Sequence, residues 1–597
     1  MKPTNIKDPE YFHKVVDCQY ACPAHTPVPE YIRLIANKKY TEAYMVNWES
    51  NVFPGILGRT CDRPCEPACR RGRLEGEEGP EEPVAICRLK RVAADNRGEV
   101  KHLMPTIPEE KNGKKIALIG GGPASLTVAR DLAPLGYELH LYDEWHKGGG
   151  MMRTQIPSFR LPEKVLDEEV NYITDMGVHT HYNHYVESMR EILEADYDAV
   201  FVGTGAPNGR DLKLPGREEA DKNVHIGINF LASVAFEHKD KIGKKVIILG
   251  GGNTAMDCCR TSRRLGGEEV TVVVRSPFKD MKASPWEIED AQREDIPILN
   301  NMPPKSFVVE DGQLKGMWFG HVRAEYDENG KRKLIPTGEE DTFIEADDVI
   351  IAIGQDNAFP WIERDLGIEF GKWDVPVIDD VTFQSTLPKV FFGGDAAFGP
   401  ENIITAAAHG HQAAISIDHY CQGIDVNARL APTTNLVKQK MGIHEWMYDS
   451  PVVDDERFVV PHEDQAISLK DRKIEVELGF DLPTGFKEAQ RCLNCDIQTV
   501  FSYDQCIECD ACVDVCPTSC ITFTTNGDEE DLRGRLSAPA NNLDQPLYVS
   551  EELPTKRVMI KDEDVCLHCG LCAERCPTAA WDMQKYLYGV TKATKIL

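Results

Sequence analysis

Two segments of this chain begin with a continuous apolar run and continue with apolar positions at helical spacing. In the first segment, residues 115–143, the apolar run 116–119 is typical of a parallel strand buried on both faces. Gly120 and Gly122 come directly after the run and precede the helical pattern. The order predicts a strand, a glycine turn, a helix and a second strand.

Residues 244–276 repeat this order, with Gly250, Gly252 and Ala255 at the three positions of the glycine motif. A glycine turn lets the backbone approach a pyrophosphate closely, and the N-terminus of the following helix stabilises the negative charge. One such motif is weak evidence, and in the first segment Ser125 replaces the third glycine. Two motifs in the same order predict two dinucleotide-binding sites.

The rest of the chain has simpler patterns. Residues 1–110 are predicted to be mostly helical, and residues 196–207 predict a further buried strand that ends in a Gly-Thr-Gly turn. Residues 426–487 are rich in turns and charge, which indicates a long connecting segment rather than a domain.

The composition limits the class of protein. The 597 residues are 42% hydrophobic, and 97 acidic against 67 basic residues give a formal charge of −30. This length predicts several cores, and the acidity disfavours nucleic acids and anionic membranes as partners. The sequence shows neither a signal-peptide pattern nor an apolar run of membrane-spanning length. We therefore expect a cytoplasmic multidomain protein.

The chain has 20 cysteines, which favour metal sites over disulfides because reducing compartments keep thiols free. Two runs near the C-terminus have the Cys-x-x-Cys-x-x-Cys-x-x-x-Cys-Pro spacing of bacterial ferredoxins, in which the fourth cysteine of each run binds the other cluster. The runs predict one [4Fe–4S] cluster at Cys506, Cys509, Cys512 and Cys576 and another at Cys566, Cys569, Cys572 and Cys516.

A zinc ribbon is the alternative, since Cys492, Cys495, Cys506 and Cys509 form two Cys-x-x-Cys pairs. It would leave the rest of the first run and the whole second run without a role, so we favour clusters. Cys520 is left over, and we expect it to pack in a small core.

Six more cysteines lie in the N-terminal region, five of them in the runs DCQYACP and GRTCDRPCEPAC. Buried apolar thiols are the alternative, but such close spacing favours metal ligation. GRTCDRPCEPAC followed by PVAICRLKRVAAD resembles the N-terminal iron–sulfur domain of glutamate synthase small subunits, a family that includes dihydropyrimidine dehydrogenase and ferredoxin:NADP oxidoreductases. Residues 148–162 and 390–410 resemble the other two FAD-binding pieces of flavoproteins with two dinucleotide-binding domains.

The resemblance implies two N-terminal clusters with eight ligand positions. The family usually opens with an Arg-Cys-Leu-x-Cys pair before the position of Cys18, but here the pair occurs in residues 488–495, EAQRCLNC. We therefore expect this distant segment to fold back onto the N-terminal domain. Cys87 lies about one helical turn before the position where relatives can place a non-cysteine ligand. The implied ligand sets are Cys18, Cys69, Cys492 and Cys495 for one cluster and Cys22, Cys61, Cys65 and Cys87 for the other.

The resemblance also implies the dinucleotide-binding residues. Arg275 stands where NAD enzymes carry an acidic residue, which favours NADP. Ser276 stands where NADPH-dependent relatives commonly have a second arginine, which leaves NAD open. We assign His409 and His411 no role, because hydride transfer between nicotinamide and flavin requires no acid or base. The implied positions are Gly120, Gly122, Pro123, Ala124, Ser125, Asp143, Gly149, Gly150, Arg160, Thr204, Gly394, Asp395 and Thr405, and then Gly250, Gly252, Asn253, Thr254, Ala255, Arg275 and Gly354.

These parts predict a multidomain fold with two α/β, Rossmann-like dinucleotide-binding domains. An NAD(P) domain is inserted between the two parts of an FAD domain, and a connecting segment returns Cys492 and Cys495 to the N-terminal clusters. The predicted regions are a helical iron–sulfur domain (1–110), the FAD domain (111–235 and 353–425), the NAD(P) domain (236–352), the connecting segment (426–500) and an α+β bacterial-type ferredoxin domain (501–597).

The predicted function is that of an NAD(P)-dependent FAD and iron–sulfur oxidoreductase whose four [4Fe–4S] clusters exchange electrons with other subunits docked near the ferredoxin domain. The combination looks like the NAD(P)-reducing subunit of a 2-oxoacid:acceptor oxidoreductase, such as a phenylglyoxylate dehydrogenase. The alternatives are a glutamate synthase small subunit, an NAD(P)H:ferredoxin oxidoreductase that could bifurcate electrons, and a non-enzymatic electron-wiring module. The added ferredoxin domain argues against the first, and the second glycine motif against the last.

Overall fold

The computed structural model describes residues 2–6, 8, 11, 14–74, 82–438, 455–525, 528–536 and 543–593. The chain forms two compact units, each built from distant segments. Part of the predicted connecting segment, residues 439–454, lies outside the described residues. Among the described helices, none is long and apolar enough to cross a membrane. The cysteine-rich unit comprises Met1–Leu103, Ala428–Val460 and Gly479–Lys592, and the α/β unit comprises Met104–Asn427, Pro461–Leu478 and Ala593–Leu597.

Short helices form the N-terminal part of the cysteine-rich unit. Apolar residues from its distant segments, such as Tyr31, Phe480 and Trp581, share one buried core. The segment after residue 479 therefore folds with the N-terminal helices. The helices are Asp17–Tyr20, Val28–Ala36, Tyr40–Asn51, Pro54–Thr60, Arg70–Leu74, Ile86–Asn96 and Leu482–Gln490, the last of which packs on Val28–Ala36 and Ile86–Asn96.

Two three-stranded antiparallel sheets form the C-terminal part of this unit. The predicted connecting segment contributes a strand from each of its ends to the first sheet, so this sheet extends beyond the predicted boundary at residue 501. Three short helices, Ala511–Asp514, Glu529–Arg533 and Leu571–Arg575, accompany the sheets. The strand orders are Thr433–Lys438, Trp581–Gly589, Ile497–Phe501 and Ile521–Thr525, Arg557–Lys561, Tyr548–Val549.

The first sheet of the α/β unit is entirely parallel. The helices Pro123–Leu132 and Ile403–Gln422 pack against each other beside it. Gly410 permits their close approach, because a Cβ there would lie 2.6 Å from the Ala124 carbonyl oxygen. The strand order is Val390–Phe392, Ala199–Val202, Lys115–Ile119, Glu138–Tyr142, His179–His181, and further helices are Met151–Thr154, Glu163–Thr174, Met189–Glu194 and Asp395–Phe398.

The second sheet of this unit is also parallel, and its strands fall in sequence between those of the first sheet. This order is that of one dinucleotide-binding domain inserted into another. Its strand order is Val224–Ile226, Asp348–Ile351, Lys245–Leu249, Glu269–Val273, Ile298–Leu299, its helices are Gly227–Ala235, Asn253–Arg264 and Pro285–Arg293, and the antiparallel strands Pro304–Glu310, Gln313–Phe319, Val322–Tyr326, Arg332–Pro336 and Thr342–Glu345 follow; Asn208–Gly209 pairs with Gln355–Asp356.

Residues 461–478 pack on the helices of the second sheet, which the sequence pattern did not predict. His462 Nε2 lies 3.1 Å from Asp290 Oδ1, and Lys473 Nζ donates to Glu237 Oε1 at 2.8 Å. This middle part of the predicted connecting segment, with its short helix Gln465–Ser468, therefore belongs to the α/β unit.

Candidate cofactor-binding sites

The first glycine turn precedes the helix Pro123–Leu132. Gly120 has a φ of +91°, and a Cβ there would lie 2.7 Å from the Gly203 carbonyl oxygen, so a side chain at this position would force a shift. The Gly149 N–H donates to the Gly121 carbonyl oxygen at 2.8 Å, which joins the segment after the second strand to the turn. The result is a backbone cradle at a helix N-terminus, the geometry that binds a pyrophosphate.

Other predicted FAD positions lie close to this cradle. A Cβ on Gly150 would lie 2.7 Å from the Gly122 Cα, and a Cβ on Gly394 would lie 3.2 Å from the Ala124 Cβ. Thr405 lies in the first turn of its helix, where its N–H donates to the capping Asn402 side chain.

Orphaned polar groups fit a polar ligand at this position. Within the described part of the chain, the buried Ser125 Oγ and Thr204 Oγ1 have no hydrogen-bond partner. Burial raises the pKa of Asp395, the residue after Gly394, to about 6. Buried polar groups are normally hydrogen-bonded, so the two hydroxyl groups fit the phosphates and hydroxyls of the predicted FAD.

Two predicted FAD residues bond within the protein. Asp143 Oδ2 accepts the Gly121 N–H at 2.6 Å and its Oδ1 accepts the Trp145 N–H at 2.9 Å, so the carboxylate holds the glycine turn in place. Arg160 Nη1 donates to both carboxylate oxygens of Asp257 at 2.8 Å. Direct contacts of Asp143 and Arg160 with FAD stay predictions.

The second glycine turn repeats the geometry of the first. Gly250 has a φ of +136°, and a Cβ there would overlap the Ala352 carbonyl oxygen. A Cβ on Gly252 would meet nothing within 4 Å, which leaves space at the N-terminus of the helix Asn253–Arg264. Thr254 and Ala255 lie in the first turn of this helix, and Gly354 follows the strand beside the turn. The arrangement fits a second dinucleotide.

Four predicted cluster ligands from distant parts of the sequence line one cavity. Burial raises the pKa of the Cys18 thiol, and raises that of Cys492 to about 12. Thiols in such a site become thiolates when a metal binds them, and a [4Fe–4S] cluster takes four thiolate ligands. This placement does not fit the zinc-ribbon alternative. The four residues are Cys18, Cys69, Cys492 and Cys495.

Buried polar pairs hold the returning segment on the N-terminal helices. Arg33 Nη2 donates to Asp496 Oδ2 at 2.5 Å, and both side chains are less than one-tenth exposed. Glu488 Oε1 accepts the Ala85 N–H at 2.8 Å and the Arg491 guanidinium at 3.0 Å. Removing one partner of such a pair leaves an uncompensated buried charge, so these contacts determine where the segment folds back.

The other four N-terminal cysteines form a second buried group in the same unit. The Cys61 and Cys65 thiols hydrogen-bond to Cys87 Sγ and lower the pKa of Cys87. Cys22 Sγ lies 3.4 Å from Thr26 Oγ1. The position of Cys87 beside Cys61 and Cys65 supports the predicted ligand set, which stays a prediction.

The C-terminal cysteines are crossed between their two runs. The charge of Cys576 acts to raise the pKa of Cys506 and Cys512, so these three side chains lie close together. The charge of Cys516 acts in the same way on Cys569. The fourth cysteine of each run therefore lies with the first three of the other, as the predicted pair of clusters requires.

Cys520 is buried, but it also contacts the predicted ligands. Its Sγ lies 3.5 Å from Cys516 Sγ, and its thiol hydrogen-bonds to Cys566. The hydrogen bond from Cys520 lowers the pKa of Cys516 to about 5. Cys520 follows Cys516 by four residues, and this spacing was the signal in the sequence that could have indicated the contact.

Three family models match the chain. They describe a pyridine nucleotide-disulphide oxidoreductase over residues 114–410, the dihydropyrimidine dehydrogenase domain II with a 4Fe-4S cluster over residues 13–102, and a 4Fe-4S dicluster domain over residues 505–580. The matches coincide with the two glycine turns, the N-terminal cysteines and the C-terminal cysteine runs.

Three relatives match two thirds or more of the chain. The beta subunit of an NADP(+)-dependent formate dehydrogenase from Moorella thermoacetica is 33% identical over 508 residues, 80% of this chain and 70% of that protein. The beta subunit of an NADPH-Fe(3+) oxidoreductase from Geobacter sulfurreducens is 30% identical, with 82% of this chain and 77% of that protein covered. The glutamate synthase [NADPH] small chain of Escherichia coli is 31% identical, with 68% and 88% covered.

The chain belongs to the glutamate synthase small-subunit-like flavoproteins. Members of this family are oxidoreductases, and the chain carries the domains that bind FAD, a nicotinamide dinucleotide and [4Fe–4S] clusters. The family resemblance inferred from the cysteine and glycine motifs is confirmed.

The assembled flavoprotein should contain one FAD and about sixteen iron atoms per chain, because its predicted ligands form four sets of four thiolates. Anaerobic purification followed by flavin, iron and zinc analysis measures both numbers. Iron near eight atoms, with zinc in place of the remainder, would contradict the ferredoxin-type clusters.

Proposed function

We propose that this flavoprotein is the NADP(H)-reactive subunit of an oxidoreductase complex, which exchanges hydride with the nicotinamide and single electrons with a partner subunit. The supporting observation is that one chain holds both nucleotide-binding turns and four groups of cysteines. Bound FAD supplies the conversion between two-electron and one-electron transfer. The glycine turns of this chain bind and orient the nucleotides, and its cysteines hold the clusters that would carry electrons to the surface.

Arg275 supports NADP as the nicotinamide. It lies two residues beyond the strand Glu269–Val273, it is exposed, and no carboxylate in the described part of the chain pairs with it. An unpaired guanidinium at the end of this strand can bind the 2′-phosphate that distinguishes NADP from NAD. The names of the Moorella and Geobacter relatives, which specify NADP and NADPH, favour the same nucleotide.

Arg275→Ala should lower kcat/KM for NADPH by about tenfold or more and change that for NADH little, because a charge-assisted contact to the phosphate is lost. The assay is anaerobic reduction of an artificial acceptor with each nucleotide. Lys241→Ala, which removes an exposed cation elsewhere, is the control and should leave the NADPH/NADH ratio unchanged. Equal losses with both nucleotides in Arg275→Ala would show that the residue does not recognise the phosphate.

The C-terminal clusters are the proposed exit for single electrons. Cys509 and Cys569 are both exposed, and Ile507 beside the first of them is 61% exposed. A partner subunit docked here would bring its own redox centre close to these sulfurs. The match to the Escherichia coli glutamate synthase small chain covers only 68% of this chain, so a plain glutamate synthase small subunit fits less well.

The finer proposal is that the partner is a 2-oxoacid:acceptor oxidoreductase, from the resemblance to its NAD(P)-reducing subunits. The name of the Moorella relative favours a formate dehydrogenase as a second candidate. Anaerobic purification of the tagged full chain with its partners, followed by assays of NADP reduction with phenylglyoxylate and with formate, distinguishes the two. If NADPH fails to reduce the centres of the fully loaded chain, the proposed function itself is wrong.

A further inference from the structure

Lys90 is a buried cation inside the cysteine-rich unit. It lies in the helix Ile86–Asn96 and is only 4% exposed. In the described ranges no carboxylate pairs with its ammonium and no oxygen accepts a hydrogen bond from it. Burying a lysine without a partner is costly, so the position requires a compensating charge that the protein chain does not supply through a carboxylate. Lys90 lies three residues after Cys87 in this helix, so the two side chains share one helix face. The cysteines whose charges act on its ammonium are Cys61, Cys87, Cys65 and Cys22.

Two cations beside the other buried cysteines, Lys561 and Arg70, have carboxylate partners. Lys561, which interacts with Cys566, donates to Glu563 Oε2 at 2.7 Å. Arg70, which lines the cavity of the first cysteine group, donates to Asp17 Oδ2 at 3.0 Å. Their charges are therefore largely neutralised by their own partners, and that of Lys90 is not.

The remaining charges near this group do not cancel Lys90. Glu66 is the nearby buried carboxylate, and it accepts the Arg457 guanidinium at 2.6 Å and the Cys87 N–H at 3.1 Å. Among the described residues, Lys90 is therefore a cation beside these sulfurs that no carboxylate pairs with.

We infer that Lys90 is the built-in counter-ion of the cluster held by Cys22, Cys61, Cys65 and Cys87, and that it makes this cluster easier to reduce than the one held by Cys18, Cys69, Cys492 and Cys495. The inference rests on the proposed cluster ligation. Reduction by one electron adds one negative charge to a cluster of four thiolates, and a cation in a site of low dielectric stabilises that added charge. An electron shared by the two N-terminal clusters then resides mainly on the cluster beside Lys90.

The test is an EPR-monitored redox titration of the full, cofactor-loaded chain and its Lys90→Met and Lys90→Arg variants. The signal of the relevant cluster is identified as the one that Cys22→Ser alters. At the midpoint potential of the unmodified protein, Lys90→Met should lower the reduced-to-oxidised ratio of that signal at least tenfold, which is about 59 mV for a one-electron couple. Lys90→Arg keeps the charge, so the midpoint potential of that signal should stay near its original value. Lys101→Gln removes an exposed cation of the same unit and should also leave this potential unchanged.

Each outcome decides the matter. A Lys90→Met variant that keeps its full iron content and an unshifted signal overturns the role of Lys90 and leaves the ligation intact. If Lys90→Met loses about four iron atoms while Lys90→Arg retains them, the requirement for the charge is supported. If Cys22→Ser alters no signal in an iron-complete protein, the ligand set is wrong and the inference falls with it.

Discussion

The Cys492→Ser/Cys495→Ser double variant should lose one cluster, about four iron atoms per chain, and should still reduce its flavin with NADPH. The two sulfurs line one cavity with Cys18 and Cys69, so their loss leaves half a ligand set. Because metal ligation contributes directly to folding, the returning segment should also become more accessible to proteases. Hydride transfer should persist, since it needs only the two nucleotide-binding turns of the α/β unit.

Electron delivery to an acceptor at the C-terminal clusters should fall steeply in the same variant. Arg70 lines the affected cavity and donates to the Cys566 carbonyl oxygen at 3.1 Å, so the missing cluster is a neighbour of the C-terminal ones. Iron analysis, stopped-flow flavin bleaching and acceptor reduction measure the three effects separately. Cys421→Ser, a half-buried thiol outside every predicted ligand set, is the matched control and should retain all iron. Full iron in the double variant would show that Cys492 and Cys495 are not ligands.

Gly250→Ala should abolish reduction by NADPH, with a loss of about a hundredfold or more, while FAD and iron remain bound. A Cβ at this position would overlap the Ala352 carbonyl oxygen, and the φ of +136° is one that an alanine rarely adopts. The combined strain amounts to about 3 kcal/mol, which displaces the turn that should receive the pyrophosphate. The separate FAD turn around Gly120 is unaffected.

The measurement compares NADPH with dithionite as the reductant of the same preparation. Dithionite-reduced Gly250→Ala should pass electrons to an acceptor at the normal rate, because the change affects nucleotide binding alone. Gly266→Ala is the matched control, since Gly266 also has a positive φ but a Cβ there would meet nothing within 4 Å. Normal NADPH affinity in Gly250→Ala would show that the nicotinamide binds elsewhere.

Local spacing was sufficient to predict much of the candidate sites. The two glycine turns and the C-terminal cysteine runs each lie within a short stretch of sequence, and the spacing reflects the geometry of one turn or one cluster. The return of Cys492 and Cys495 required a different argument, from the family's ligand count, and the structure places both sulfurs beside Cys18 and Cys69.

Other features depended on contacts between distant residues and could not be predicted in this way. Lys90 is one lysine among many in the sequence, and only packing shows that it is buried near these four cysteines. Arg160 was predicted to bind FAD, but its partner Asp257 lies nearly a hundred residues away in sequence. The same holds for residues 461–478, whose polar composition indicated a simple connection although they pack on the α/β unit.

The divided ligand set has a consequence for how the protein is made. Cys18 and Cys69 leave the ribosome more than four hundred residues before Cys492 and Cys495, and the four sulfurs meet in one cavity only when both ends of the chain are present. Insertion of that cluster must therefore follow synthesis of the segment that carries Cys492 and Cys495. A chain interrupted before this segment would display two unfilled thiols, Cys18 and Cys69, so a filled cluster shows that translation has passed Cys495.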